Sequence, residues 1–152
     1  MGVLVLAAGC HGCGGRKVPE RPRVTINGRS WRVELAVTPG ARYKGLSDRP
    51  KVPAETGMLF IYPAPQVLDF CMRDCLAPLD IAFIGADMRV VGTHTMPVEP
   101  YGFDEKTYSS DTPVQYALEV AAGELAAAGV KPGDKVVFSA DVPPAAKAEP
   151  GP

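Results

Sequence analysis

Between Asp69 and Ile84 the chain reads Asp-Phe-Cys-Met-Arg-Asp-Cys-Leu-Ala-Pro-Leu-Asp-Ile-Ala-Phe-Ile. Two cysteines, an arginine and three aspartates thus stand among residues that otherwise look like adjoining β-strands. Cys71 and Cys75 can bridge only if the chain reverses near Asp74 and brings their Cα atoms within about 7 Å. An oxidising compartment favours that disulfide, and a reducing one favours two free thiols. A cysteine nucleophile needs a base. In the region with strand patterning the only histidine is His94, between Thr93 and Thr95 on a strand, where a structural role is the simpler reading.

Arg42, Arg49, Arg73, Asp80 and Glu119 carry the other candidate chemistry, and the last two interrupt apolar strand runs. Charges in such positions are rarely buried without a partner, because desolvating them is costly. One reading is a structural network in which the arginines neutralise Asp80 and Glu119. The other is a cleft lined by arginines and carboxylates, suited to a small polar or anionic ligand. An enzymatic version would be a small hydrolase using Asp80 and Glu119 as a carboxylate pair on a carbohydrate-like substrate, which requires the two to face each other across about 5–10 Å. No standard catalytic motif accompanies any of these residues. A long loop at 97–112 with Tyr101, Phe103 and Tyr108 is placed to cover a cleft. Asp104, Glu105 and Asp111 do not have calcium-loop spacing, so no metal or cofactor is expected.

The elements that must position these residues are short. Asn27-Gly28 is a strong hairpin signal between strands at 24–26 and 30–38, since both residues tolerate positive φ. Trp31, Val33, Leu35 and Val37 alternate with Arg32, Glu34 and Ala36, the period of a half-buried strand. Thr38-Pro39 reads as a cap and first helical residue of a short helix that Gly45 stops. Further strands are expected at 57–62, 67–72, 79–84, 89–96, 114–120 and 135–138, with a second short helix over 121–128. Sixteen prolines and sixteen glycines argue for many turns and against a helical bundle. The pattern points to a mainly β, single-domain antiparallel sandwich or barrel with one or two short helices, over residues 24–139.

At 152 residues the chain has room for one such core. A formal charge of -1 and a pI near 6.1 give no electrostatic footprint for nucleic acid. The opening run Val3-Leu-Val-Leu-Ala-Ala-Gly-Cys10 is apolar, then small, then cysteine, like the end of a lipoprotein signal with Cys10 as the lipidated residue. The apolar run is short and lacks basic residues before it. Residues 1–23 otherwise read as a Gly/Pro tether, and 140–152 as a disordered tail. Cys10-His-Gly-Cys13 has redox-like spacing but no βα context. The expectation is an exported protein, periplasmic or lipid-anchored, monomeric, touching the membrane only through the anchor.

Several blocks recur in a recognisable order: Arg42-x-x-Gly-Leu46 with Arg49, Gly57-Met-Leu-Phe60, Phe70-x-Met72, Pro78-Leu-Asp80-Ile81 with Phe83, Tyr116-x-Leu-Glu119 with Gly123, and Gly133-Asp134. In this order the chain resembles the domain of unknown function 192 family, over about residues 24–139. The resemblance implies a jelly-roll-like β-rich domain, often exported or lipid-anchored, and supplies no reaction. It also implies a tryptophan at position 71, an asparagine at 74 and a threonine at 75, where this chain has Cys71, Asp74 and Cys75. A large aromatic is thus replaced by a small thiol, and any role that needed that ring is in doubt.

Overall fold

In the computed structural model, which describes residues 21–100 and 106–151, Asn27 and Gly28 both take positive φ, 51° and 78°. They close the hairpin between β1 (Arg23–Ile26) and β2 (Arg29–Ala36) with Ile26 opposite Arg29. That two-residue turn matches the twist of the flanking strands. Thr38 then caps α1 (Pro39–Lys44), its side chain accepting from the Ala41 N–H at 3.2 Å, and Gly45 ends the helix at a φ of 48°.

The connection through α1 lets β3 (Thr56–Gln66) lie parallel to β2, with Leu35 opposite Leu59. The antiparallel expectation therefore fails at this one pair. Strands joined by tight turns must run antiparallel, but the long stretch from 37 to 55 is enough for a crossover. β4 (Asp69–Phe70), β5 (Leu79–Ile84), β6 (Val90–Met96), β7 (Tyr108–Ser109), β8 (Val114–Ala121), α2 (Glu124–Ala127) and β9 (Val136–Phe138) follow. β3 runs through Pro63 and Pro65, which a register shift between Ile61 and Gln66 accommodates. The strand expected at 67–72 shrinks to β4, which pairs with β7 from inside the supposed loop. The helix expected over 121–128 begins only at Glu124, because Ala121 stays in β8.

Seven strands form one curled, open half-barrel in the order β6-β5-β8-β3-β2-β1-β9, and β4-β7 make a separate ribbon. It is not a fully closed barrel or sandwich. Its edges meet only where β6 and β9 begin: Arg89 bridges Lys135, and the Val136 N–H reaches the Met88 carbonyl at 2.8 Å. Among the described residues, one face of this sheet is covered by the ribbon, α1 and loops and not by a second full sheet.

Both faces of the central strands are nonetheless covered, so all six residues of β5 are buried. One face carries Trp31, Leu59, Ile61, Leu118, Val120 and Ala82, closed over by Leu125 of α2. The other carries Met58, Phe60, Ala117, Ile81 and Phe83, closed over by Leu46, Leu68, Met72 and Tyr108. Residues 140–151 turn back onto the first face. Ala148 is buried there, Val142 and Ala145 pack against the same cluster, and the Glu149 N–H bonds the Val37 carbonyl at 2.9 Å. Residues 1–20, with Cys10 and Cys13, and Tyr101, Phe103, Asp104 and Glu105 lie outside the described residues.

Candidate functional site

Strand register decides first which candidates can meet. Glu119 lies opposite Met58 on β3 and Ile81 on β5, so its side chain leaves the sheet on the face covered by Leu46 and Met72. Asp80 lies opposite Val120 and so points to the other face. The two carboxylates stand on opposite sides of the sheet. They cannot act together on one bond.

Asp80, 2% exposed, is fully engaged. One carboxylate oxygen accepts from the Thr95 hydroxyl at 2.8 Å, the other from the Leu125 N–H at 3.1 Å. The N-cap of α2 is Gly123, which has no side chain to offer, so Asp80 supplies the acceptor for the helix's first turn from the neighbouring strand. This accounts for Asp80 and Gly123 without invoking a ligand.

The arginines do not neutralise either carboxylate. Arg49 makes a two-pronged pair with Glu34, at 2.7 and 2.8 Å. That pair lowers the Glu34 pKa, chiefly through its hydrogen bonds, and raises that of Arg49. Both side chains are more than a third exposed, so solvent screens the pair and its contribution to stability is small. Arg42 donates to three carbonyls, those of Val37 (2.9 Å), Ile61 (3.1 Å) and Glu149 (2.7 Å), with its guanidinium over the Tyr62 ring. It ties α1 to β3, to the residue that follows β2 and to the C-terminal segment. Arg73 stacks 4.1 Å from the centre of the Tyr43 ring and donates to the Tyr43 carbonyl at a long 3.4 Å.

Glu119 is the exception. It is 5% exposed, and among the described residues it has no hydrogen bond and no ion pair. Burial pushes its pKa from 4.5 up to about 8. It is therefore mostly a neutral acid at pH 7. Its carboxyl contributes to the wall of a cavity of about 330 Å³, in which Arg42, Tyr43, Ser47, Phe60, Tyr62, Phe70, Cys71, Arg73 and Cys75 also take part. Two walls are pinned together by the Ser47 hydroxyl on the Arg73 carbonyl at 3.0 Å and the Asp48 N–H on the Asp74 carbonyl at 2.8 Å.

The chain does reverse at Asp74, whose φ is 55°, with the Cys75 N–H on the Met72 carbonyl at 3.0 Å. Cys71 and Cys75 are nevertheless half-buried and not bridged to each other. Burial first, then the nearby Glu119 and Cys71, push the Cys75 thiol up to about 11. A thiol so hard to ionise is a poor nucleophile. His94 is not in the cavity wall; its ring lies against Phe83 and Tyr108. Among the described residues no group of histidine, cysteine and carboxylate side chains could hold a metal ion.

Of the sequence candidates, Arg42, Arg73, Glu119, Cys71 and Cys75 thus converge on one cavity, while Arg49 and Asp80 do not. The aromatic wall was not singled out from the sequence. Its signal was there: Met58, Phe60 and Tyr62 alternate on β3 and share the face of Glu119.

Fold and site together define a small β-dominant domain with surface arginine–glutamate pairs and polar contacts, and no evident catalytic or metal site among the described residues. The chain belongs to the DUF192 family (Uncharacterized ACR), whose profile matches residues 22–138. No curated protein matches it. A protein of unknown function from Novosphingobium aromaticivorans has a similar crystal structure, with a TM-score of 0.69 and 38% identity, covering 76% of this chain and 83% of that one. A candidate transcription regulator from Sinorhizobium meliloti is also similar, with a TM-score of 0.69 and 33% identity, covering 80% of this chain and 97% of that one.

Proposed function

We propose that this chain is a non-enzymatic accessory or binding domain of the cell envelope, exported, monomeric, and anchored through Cys10 where that residue is lipidated. Its cleft takes a small polar or anionic ligand, or a polar segment of an envelope protein. The observation that carries this reading is Glu119, a carboxyl 5% exposed and with no hydrogen-bond or ion-pair partner among the described residues, on the wall of a cavity of about 330 Å³. A polar group left unpaired in a protein interior costs stability. Such a cost is understandable where a ligand supplies the missing hydrogen bond. The cavity is of the size that holds a small organic molecule, and Arg73 brings donors that no protein carboxylate uses among the described residues.

The regulator description of the Sinorhizobium meliloti protein is not carried to this chain. Its formal charge is -1, and among the described residues the longest α-helix is the six-residue α1, too short to read a major groove.

The test is a screen of small carboxylates, sugars and amines by NMR. A ligand is expected to shift the amide resonances of residues 42–47, 69–75 and 119, and Cys71→Trp, which fills the cavity from its wall, is expected to abolish that shift. If no compound in the panel perturbs those resonances at millimolar concentration, the cleft is not a ligand site.

A further inference from the structure

The cleft keeps its free charge and its unmet hydrogen-bonding capacity on different residues. Glu119, at 5% exposure, is the most deeply buried polar group of the wall. Arg73 is only half-buried, its guanidinium held flat on Tyr43 by stacking and by a single long hydrogen bond. Its neighbours are committed: Lys44 pairs with Asp48, and Arg42 is spent on three carbonyls. Phe60 and Phe70, edge to face at 4.9 Å, supply apolar wall. Asp69, exposed on the same wall, disfavours an anion on its own side.

Resting on the reading of the cleft as a ligand site, we propose that its ligand is a small organic anion bound in one orientation. The charged head lies on Arg73 at the mouth, an apolar body lies on Phe60 and Phe70, and a hydrogen-bond acceptor at the far end meets the Glu119 carboxyl. The reverse orientation would desolvate an anion beside a buried acid, which is far costlier than leaving it at a partly hydrated guanidinium. The acceptor is needed because the neutral Glu119 carboxyl has an O–H to donate.

The groups that face Glu119 are Tyr62 from β3 and Cys75 from the turn after β4, and burial raises both. From β5 the facing residue is Ile81, which carries no charge. Arg42 and Lys44 from α1, Asp69 from β4, and Cys71 and Arg73 from the turn complete the ionisable wall, with Tyr43 at its edge. Glu119 is the group whose protonation the acceptor reads.

The experiment is a titration by calorimetry and NMR with 4-acetylbenzoate, benzoate, acetophenone and benzylamine. 4-Acetylbenzoate, which has both an anionic head and a far carbonyl, is expected to bind most tightly. Its affinity should fall about tenfold between pH 7 and pH 9 as Glu119 loses its proton. Glu119→Gln, which keeps a neutral donor, should remove that pH dependence and retain binding. Arg73→Gln, which keeps a polar side chain at a half-buried position, should reduce 4-acetylbenzoate to the level of acetophenone. Tighter binding of benzylamine than of benzoate, affinity that rises with pH, or indifference to Arg73→Gln overturns the proposed orientation and charge, and leaves the cleft a ligand site for another class. Silence of all four compounds at the cavity resonances overturns the orientation and, with the wider panel also silent, the ligand site itself.

Discussion

Glu119 makes the cleft at a thermodynamic cost, and the cost has a pH signature. Its pKa is raised by burial from 4.5 in the unfolded chain to about 8 in the folded one. Between those values the native protein binds more protons than the unfolded chain, so stability falls as pH rises. The group's contribution is therefore complete below about pH 4.5 and lost as pH climbs through 8. The Glu119→Gln variant has no proton to lose. We expect its melting temperature to exceed that of the parent at pH 9 and to lack the parent's decline between pH 5 and pH 9. A decline of the same size in both proteins would show that Glu119 is not the titrating group. Asp80, also a carboxyl that interrupts an apolar strand, is the counterexample, since two donors satisfy it. In the sequence the two residues look alike, because the difference lies in which donors the fold brings across strands. Position 71 is a third instance. Cys71 stands where the family resemblance implies tryptophan, and its small side chain forms part of the wall of open space.

The elements explain why Glu119 is where it is. β3 passes so close to β8 that a Cβ built on Gly57 would lie 2.1 Å from the Glu119 carbonyl oxygen and 2.9 Å from a methyl of Val120. The Gly57-Met-Leu-Phe60 block is thus a close-packing requirement at the point where Glu119 is set. Gly57→Ala must push β8 away. Overpacking of this kind costs about 1–3 kcal/mol, and we expect it to lower the urea midpoint and to shift the Glu119 carboxyl resonance. An unchanged midpoint would mean that the strands yield without strain. The hairpin at Asn27-Gly28, the cap at Thr38 and the stop at Gly45 were legible because each is a local choice of backbone conformation. The parallel pairing of β2 with β3 was not, because it depends on where a long connection returns. The shortening of β4 and the start of α2 at Glu124 were also hidden, since residue preference marks the existence of an element better than its ends.

Across the whole molecule, the sequence made a mainly β fold readable through alternation and turn residues. It left the second layer open, because nothing local distinguishes a second sheet from a cover of ribbon, helix and loop. The C-terminal segment shows the same limit. Its composition, rich in proline and alanine, reads as disordered. Yet the fold offers a surface to which Val142, Ala145 and Ala148 dock, and the Glu149 carbonyl accepts from Arg42 at 2.7 Å. Through that bond the segment braces α1, and Gly151 completes part of the cavity wall. Ending the chain at Ser139 should therefore act at two places at once. Loss of one buried and two half-buried apolar side chains, together with a charge-assisted hydrogen bond, should cost about 2–4 kcal/mol, read as a lower urea midpoint. Amide exchange should rise in α1 and at Val37, whose carbonyl loses the Glu149 N–H, while β5 and β8 in the centre of the sheet keep their protection. If the midpoint and the exchange of α1 are both unmoved by the truncation, the segment rests on the domain without bracing it, and the cleft is shaped by residues 21–139 alone.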